Sequence, residues 1–317
     1  MRNLLVAIVV ALAGAAHAQP YPAKPVHFVV PFPASGATDI LTRLLGQKLA
    51  DALGQPVVTD NKPGAGGTLG SAQVAKAPPD GYTILMATTS THSIGPSLQK
   101  LAYDPEKDFA PVCLVAYAPN VLVVSPAIGV SSVKELIALA KAKPGELNYA
   151  SSGNGTVSHL SGELFGRMAG VKLQHVPYKG TALAAADIHS GQIALMFDNL
   201  VSAIPFMSSG LEKGLAMTSA GRFASLPELP TVAEAGVPGF ESGTNFGVFA
   251  PAGTPAPIVA RLNAELVKIV RAPDTRARFL DLGAEAVGST PEALAATLRA
   301  DTEKWARVIR EAGVKAP

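Results

Sequence analysis

The sequence predicts an α/β fold of two lobes, each built on a mainly parallel sheet. Strand-like apolar runs alternate with segments of helical period along the chain, which is the order of elements in parallel sheets covered by helices. The composition agrees, because 48% hydrophobic and 16% charged residues are typical of a protein whose strands are buried on both faces. At 317 residues the chain is also longer than one hydrophobic core usually supports, which favours two domains.

The first half of the chain opens with a strand, a short loop of small residues and a helix. The strand is predicted at Val26–Val30 and the helix at Ala37–Leu53, where apolar residues recur at helical spacing until Gly54. The loop between them, residues 31–36, brings free backbone N–H groups and the positive end of the helix to the sheet edge, which suits an anion. Further strands are predicted at 56–59, 82–87 and 121–124.

The second half contains a matching segment. Residues 147–150 form a predicted strand, and the loop at 151–156 leads from it into a helix predicted at Val157–Ala169. If the two loops face each other, they form a clamp for a small carboxylate. The other elements predicted after the first half are strands at 173–176, 193–197 and 215–218, and helices at 132–143, 182–190, 199–209, 258–270, 275–282 and 291–311.

Two stretches mark the points where the chain is predicted to cross between the lobes. Residues 251–255 read Pro-Ala-Gly-Thr-Pro, which is typical of a junction, and residues 123–130 are the other predicted crossing. The first lobe then consists of residues 19–122 and 249–317, and the second of residues 123–248. The C-terminal helices are assigned to the first lobe because they cannot bury their apolar stripes alone.

Residues 1–18 are typical of a secretory signal peptide that is cleaved after Ala18. Arg2 supplies the positive start, residues 4–12 the apolar stretch, and Ala16-His17-Ala18 the small-residue cleavage pattern. No later stretch reaches the roughly 18 uninterrupted apolar residues that a spanning helix needs. We therefore expect an exported, soluble mature chain.

The charge and cysteine content exclude several other classes. A formal net charge of +2 provides no basic field for nucleic acid or an acidic membrane surface. Cys113 is the only cysteine, so no intramolecular disulfide can form, and it lies in an apolar run that favours a core role. We expect no nucleic-acid partner and a fold stabilised by core packing.

Small and polar residues follow several predicted strands, at the sheet edge where open α/β proteins bind ligands. A glycine-rich loop at 63–68 admits a ligand close to the backbone, and a hydroxyl cluster at 88–92 can bond a carboxylate without adding charge. Each segment is also typical of an ordinary βα turn or a helix cap. Asp198, directly after an apolar strand, is either a helix cap or a group that receives an amine or holds waters.

Motifs for catalysis, nucleotide binding and metal binding are not found in the sequence. There is no G-x-S-x-G elbow, no P-loop and no H-E-x-x-H. The glycines at 64–70 are spaced G-x-G-x-x-x-G, but the strand before them ends at Thr59, so the dinucleotide fingerprint does not fit. His159 and His175 have no carboxylate spacing that indicates a metal. We therefore expect no enzyme activity, no cofactor and no metal.

A series of ordered motifs across nearly all of the mature chain carries a resemblance to a known family. They are YPAKPVHFVVPFPASGATDILTR, LGQPVVTDNKPGAGGTLG, APPDGYTIL, YDPEKDF, YASSGNGTVSHL, HVPYKG, MFDNL, LPTVAEAGVPGFE, FAPAGTPAPIVARLN and the late Trp305. In these motifs the chain resembles the Bug family, the extracytoplasmic solute-binding receptors of tripartite tricarboxylate transporters. That resemblance implies a periplasmic, two-lobed periplasmic-binding-protein fold of the type II kind, with two open sheets joined by two hinge crossovers.

The resemblance also implies a site. The lobes would close on a small organic acid or amino acid, with one carboxylate held by main-chain groups and ordered waters, and would present it to membrane permease subunits. A monomer is the family expectation. Carried across motif by motif, the first lobe supplies Phe32, Ala34, Ser35, Gly36, Gly66, Gly67, Thr89 and Ser90. The second lobe supplies Ser152, Thr156, Tyr178 and Asp198, with which ligand specificity is expected to lie.

Two positions depart from the family pattern. Ser35 stands where the family loop usually has a glycine, which adds a hydroxyl donor or narrows the pocket. Asn245 stands where a tryptophan commonly precedes the Phe-Gly pair, which would make the pocket more polar.

Two other functions remain open at the level of sequence. The same fold can serve as a sensor that hands its closed form to a membrane signalling kinase, and neighbouring genes would discriminate that role from transport. A secreted hydrolase is disfavoured by the missing nucleophile motif, and turnover of an ester or amide would revive it.

Overall fold

The computed structural model describes residues 21–314. In chain order its strands are β1 Val26–Val30, β2 Val57–Asn61, β3 Thr83–Thr88, β4 Phe109–Val124, β5 Asn148–Ser151, β6 Gln174–Pro177, β7 Leu195–Asn199, β8 Lys213–Met217, β9 Gly243–Pro251 and β10 Glu285–Ala286. Its helices are α1 Ala37–Leu53, α2 Thr68–Ala75, α3 Gly95–Leu98, α4 Val133–Ala142, α5 Val157–Ala169, α6 Thr181–Ser190, α7 Leu200–Ser208, α8 Ala256–Arg271, α9 Pro273–Asp281 and α10 Pro291–Ala312.

The predicted leader, with its cleavage site after Ala18, lies outside the described residues. Among the helices of residues 21–314, none combines the length and the apolar character that crossing a bilayer requires.

The strands form one continuous mixed sheet in the order β2-β1-β3-β9-β4-β7-β5-β6, with β8 and β10 also paired with β4. Parallel pairing joins β1 to β2 and β3 at one end, and β5 to β6 and β7 at the other. The α/β class is therefore confirmed. The expectation of two separate sheets is corrected, because the antiparallel strands β4 and β9 join the two parallel parts.

Strand β4 is one of the two strands that connect the lobes. Its 16 residues are buried almost throughout, and core contacts change from one lobe to the other along it. Ala116 and Ala118 pack with β1, β3, α1 and α8, which we call the first lobe. Leu122 and Val124 pack with β5, β7 and α5, which we call the second lobe. The lobe boundaries at 122/123 and 248/249 stay predictions.

The apolar stripe predicted for helix α1 is buried in the core of the first lobe. Leu41, Leu45 and Leu49 recur every four residues, and all three are fully buried against the sheet of the first lobe. The helix ends at Gly54, whose positive φ of 68° forms a left-handed cap. At its other end α1 begins at the loop after β1, so the buried stripe fixes the position of the N-terminus relative to the sheet edge.

The C-terminal helices complete both lobes. Leu262 and Leu266 of α8 and Phe279 of α9 belong to the core of the first lobe. Trp305 of α10 packs in a separate cluster with Ile94 and with Leu160 of α5. Helix α10 therefore contacts the second lobe as well as the first.

Candidate ligand-binding site

Two adjoining cavities lie between the lobes. The inner cavity, of about 220 Å³, reaches Asn120 within β4 and the end of β7, and the outer cavity, of about 590 Å³, lies among the glycine-rich loops. The two cavities share five lining residues, so they form one cleft; these are Phe32, Pro33, Ser90, Ser152 and Lys179.

The lobes touch each other across this cleft. The Val157 N–H, the first of helix α5 in the second lobe, donates to Ser90 Oγ of the first lobe at 3.1 Å. Gly66 lies so close to the second lobe that a Cβ there would be 2.6 Å from the Asn154 carbonyl oxygen. A Cβ at Gly180 of the second lobe would likewise lie 3.1 Å from Pro33 Cγ of the first lobe. The lobes are therefore closed over the cavities.

The N-terminus of α1 opens into the inner cavity without a side-chain cap. Its N-cap residue is Gly36, and the N–H groups of Ala37 and Thr38 have no hydrogen-bond partner in the described part of the chain. Asp39 in the first turn is engaged elsewhere, because its carboxylate accepts from the Ser35 N–H and from Arg43. Gly36, Ala37 and Thr38 all line the cavity, so these amides are available to an anion.

The N-terminus of α6, in the second lobe, faces the same cavity. Its N-cap residue Gly180 also provides no side-chain cap, and Gly180, Thr181 and Ala182 line the cavity. Four other helices have a polar N-cap residue whose side chain caps them: α4 has Ser132, α5 has Thr156, α7 has Asn199 and α10 has Thr290. The two helices that open on the inner cavity are thus among those left uncapped.

Side chains on the cavity wall add further unpaired polar atoms. Burial without a partner costs free energy, so such atoms in a cavity indicate a ligand or ordered water. Five of them line the inner cavity and have no partner among the described residues; they are Thr88 Oγ1, Asn120 Oδ1, Ser158 Oγ, Asp198 Oδ2 and Asn199 Nδ2.

Within residues 21–314, Asp198 carries the only carboxylate on the wall of the inner cavity. It is 1% exposed, and burial raises its pKa to about 7, although the hydrogen bond from Ser202 acts in the opposite direction. Glu212 is a second buried carboxyl group, and burial together with the charge of Asp198 raises its pKa to about 8. Burial therefore makes both carboxyl groups harder to ionise than an exposed carboxyl group.

Nine of the twelve residues expected at the site line one or both cavities. The inner cavity is lined by Phe32, Ala34, Gly36, Ser90, Ser152 and Asp198, and the outer cavity also by Gly66, Gly67 and Tyr178. Tyr178 points its hydroxyl to Asp187 and contributes to the wall by its position on the loop. Thr38, Asn120, Ser158, Gly180 and Thr181 were not singled out from the sequence, although glycine before a helix, as at Gly180, was an available signal.

Ser35, Thr89 and Thr156 do not line either cavity. Ser35 is exposed with a φ of 66°. Thr89 donates to Asp301 of α10 at 3.1 Å, and Thr156 caps α5 by accepting from the His159 N–H. Asn245 also donates to Asp301, at 2.8 Å, so it faces α10 rather than the cleft.

No other cluster suggests catalysis in residues 21–314. No group of three or more metal-ligating side chains occurs there. Burial raises the pKa of the Cys113 thiol to about 11 and lowers the pKa of His92 to about 3, so neither group is activated at neutral pH. What the cleft offers is a set of fixed hydrogen-bond donors and acceptors.

This arrangement is that of a solute-binding receptor, and comparison with known proteins agrees. A sequence model described as "Tripartite tricarboxylate transporter family receptor" matches residues 41–314, and the chain belongs to this family.

Solved structures show the same fold. The chain is similar to Rpa4515 of R. palustris, solved with adipate, at 39% identity and a TM-score of 0.92, covering 94% of this chain and 100% of that one. It is similar to the periplasmic binding protein BugD at 39% identity and a TM-score of 0.89. The match covers 94% of this chain and 100% of BugD. MatC from Rhodopseudomonas palustris, solved with bound malate, is 37% identical with a TM-score of 0.86. The match covers 91% of this chain and 100% of MatC. The Bug-family resemblance is confirmed.

Proposed function

We propose that this chain is a periplasmic receptor that captures a small carboxylated metabolite between its lobes and delivers it to a membrane permease. One observation carries the proposal. The uncapped N-termini of α1 and α6, one from each lobe, open into the same cavity. Because each end provides amide donors and a positive dipole, an anion held between them binds both lobes at once. Adipate and malate, bound by two similar proteins, are anions of this kind.

Closure follows from the same geometry. A carboxylate in the cavity is shielded from water, which strengthens charge-assisted hydrogen bonds to backbone donors. Ligand binding therefore favours the contacts between Ser90 and Val157 and between Gly66 and Asn154, because these exist only when the lobes meet. The closed surface is then the form that a permease recognises.

Export, oligomeric state and the absence of catalysis are further parts of the proposed function. We propose export by the leader, with cleavage after Ala18, a monomeric mature chain, and no catalytic activity or cofactor. A sensor that hands the closed form to a membrane kinase is the alternative role for the same site.

A thermal-shift screen of organic acids tests the binding function. At 100 times its dissociation constant a ligand stabilises the native state by about 2.7 kcal/mol, which a shift of the melting temperature reports. The screen includes adipate, citrate and the four-carbon series succinate, malate and aspartate, whose members differ at one carbon. An advantage of aspartate over succinate would place an amine near Asp198. If none of the acids stabilises the protein, the proposed function is wrong.

Ala37→Pro tests the amide donors directly. Proline is tolerated at the first position of a helix but has no N–H, so this variant removes one donor and keeps α1. We expect the affinity for the tightest acid to fall by about tenfold, the value of one charge-assisted hydrogen bond of roughly 1.4 kcal/mol. Ala256→Pro makes the same change at the exposed start of α8 and is expected to bind like the wild type. Equal affinity of the two variants contradicts the placement of the carboxylate.

A further inference from the structure

A third cavity lies behind the ligand loop of the second lobe. The loop, residues 151–155, contributes Ser152 to the inner cavity and Ser152 to Gly155 to the outer one. The rear cavity, of about 320 Å³, is lined by Asn154 and Gly155 of this loop and by His159, Glu163 and His175. A cluster of titratable side chains therefore stands between the loop and this rear space, outside the ligand cleft.

Both histidines are bonded to the loop. The Gly155 N–H donates to His159 Nδ1 at 3.2 Å, and Ser151 Oγ lies 2.6 Å from His175 Nε2. A backbone N–H can only donate, so His159 Nδ1 must be unprotonated for this contact to exist. The neutral form of His159, with its proton on Nε2, is thus part of the loop's geometry. Ser151 Oγ in turn accepts from the Gly153 N–H at 3.2 Å, so the contact at His175 reaches the middle of the loop.

The two imidazole rings stack on each other. Their centroids are 3.9 Å apart and their planes differ by 14°. Two protonated rings in this position would repel each other, because no solvent fits between them. In the described part of the chain, few charged or titratable groups surround the pair. Glu163 Oε1 lies 3.9 Å from His159 Nε2 and accepts from the Tyr149 hydroxyl, while Leu98 and Val314 complete the rear cavity with apolar surface.

One carboxylate faces two imidazoles, so full protonation of the pair is unfavourable. Burial lowers the pKa of His159 to about 4, and burial with the charge of His159 lowers that of His175 to about 4. Both rings are therefore neutral at pH 7. On acidification, protonation of His159 at Nδ1 removes the acceptor of the Gly155 N–H, and protonation of both rings adds repulsion within the stack.

We propose that His159 and His175 are positioning residues of the ligand loop, and that their stack makes ligand affinity fall in acid by displacing residues 151–155. This inference rests on the proposed function, because it concerns the affinity of the same cleft. The pair does not touch the ligand. The pair holds residues 151–155, which line the ligand cleft. The rear cavity lies directly against both rings.

Three variants separate this role from simple packing. His159→Leu removes the acceptor at every pH and is expected to lower affinity at least tenfold at pH 7.5. His159→Asn places an amide oxygen near the Nδ1 position without a titratable group, so it recovers most of the loss and lacks the acid step that depends on His159. His189→Asn makes the same replacement at an exposed histidine and is expected to keep the wild-type pH profile.

The experiment is calorimetric titration from pH 3.5 to 8 with malate or adipate, whichever binds more tightly at pH 7.5. Expressing each affinity relative to His159→Asn at the same pH cancels the titration of the ligand's own carboxyl groups. Because the pKa of His159 is about 4, we expect this ratio to fall by about fourfold between pH 6.5 and 3.5 for the wild type and for His189→Asn. The protection factor of the Gly155 amide, measured without ligand and corrected for intrinsic exchange, is expected to fall over the same pH range.

Two results would overturn the inference while leaving the receptor function intact. One is a wild-type profile that superimposes on that of His159→Asn. The other is a Gly155 amide whose protection, corrected for intrinsic exchange, does not change with pH. If His159→Leu does not fold, the comparison of wild type with His159→Asn still decides the matter. Failure of every acid to bind at pH 7.5 is a different result and bears on the proposed function alone.

Discussion

Replacing Gly66 by alanine tests whether ligand binding requires the contact between the lobes. Gly66 of the first lobe lies against the Asn154 carbonyl of the second, and a Cβ at this position would be 2.6 Å from that oxygen. Real Cβ atoms essentially never approach so closely, and the obstacle is backbone rather than a flexible side chain. Each lobe of the variant can therefore fold. The two lobes, however, cannot reach the observed closed arrangement unless one of them shifts away from the other.

The size of the effect follows from two contributions. Relieving an overlap of this kind costs roughly 1–3 kcal/mol, and it acts on the closed form alone. Gly66 also has a φ of 63°, so alanine adds strain of about 1 kcal/mol, but this strain is present in the open form too and cancels from the affinity. We expect ligand affinity to fall by about 10- to 100-fold.

Gly54→Ala is the matched control. Gly54 has a φ of 68°, and a Cβ there has no atom within 4 Å. It therefore adds the same backbone strain without the overlap between lobes. Calorimetric titration with the tightest acid of the screen measures affinity for both variants, and small-angle X-ray scattering of the ligand-bound proteins measures closure. If Gly66→Ala and Gly54→Ala bind equally well and scatter alike, the reasoning about closure is wrong.

Two further predictions concern stability. Ser35→Gly is expected to raise the free energy of unfolding by about 0.5–1 kcal/mol in urea denaturation, because Ser35 has a φ of 66° that glycine adopts without strain; a decrease would contradict this. Burial raises the pKa of Asp198 to about 7 in the folded chain, so its contribution to stability is complete below about pH 4 and is lost as the pH rises through 7. Relative to Asp198→Asn, the wild type should therefore lose on the order of 2 kcal/mol between pH 5 and 8, and parallel stability curves for the two proteins would refute the assignment.

Much of the fold could be predicted from local pattern. The helices and parallel strands of both lobes have strong periodicity and clear caps, as at Ser132, Thr156 and Gly54. Strands β4 and β9 were harder to predict. Pro111 and Pro119 interrupt the sequence of β4, and the pairing with β9 shifts register between Pro111 and Cys113, so neither strand shows a regular alternation. Their pairing spans more than 120 residues of chain, which no local signal reports.

The site was predictable where function depends on the backbone beside a strand. The loops at 31–36 and 151–155 were found because small residues there join a strand to a helix. What the sequence could not reveal is which helix ends stay free in three dimensions. The amide of Val157 is taken by Ser90 from the opposite lobe, while the N-terminus of α6 stays open because Gly180 offers no side chain. Likewise, the hydrogen bond from Thr89 to Asp301 joins residues 212 positions apart, which no local sequence pattern indicates.

The uncapped starts of α1 and α6 have a consequence for the divergence of such receptors. An amide is present in every amino acid except proline, so almost any substitution in these first turns preserves the donors. By contrast, Asn120, Ser158 and Asp198 present their groups through side chains that a single codon change can replace. Sequence drift can thus exchange one acid for another on that wall, while the affinity for negative charge itself is inherited unchanged.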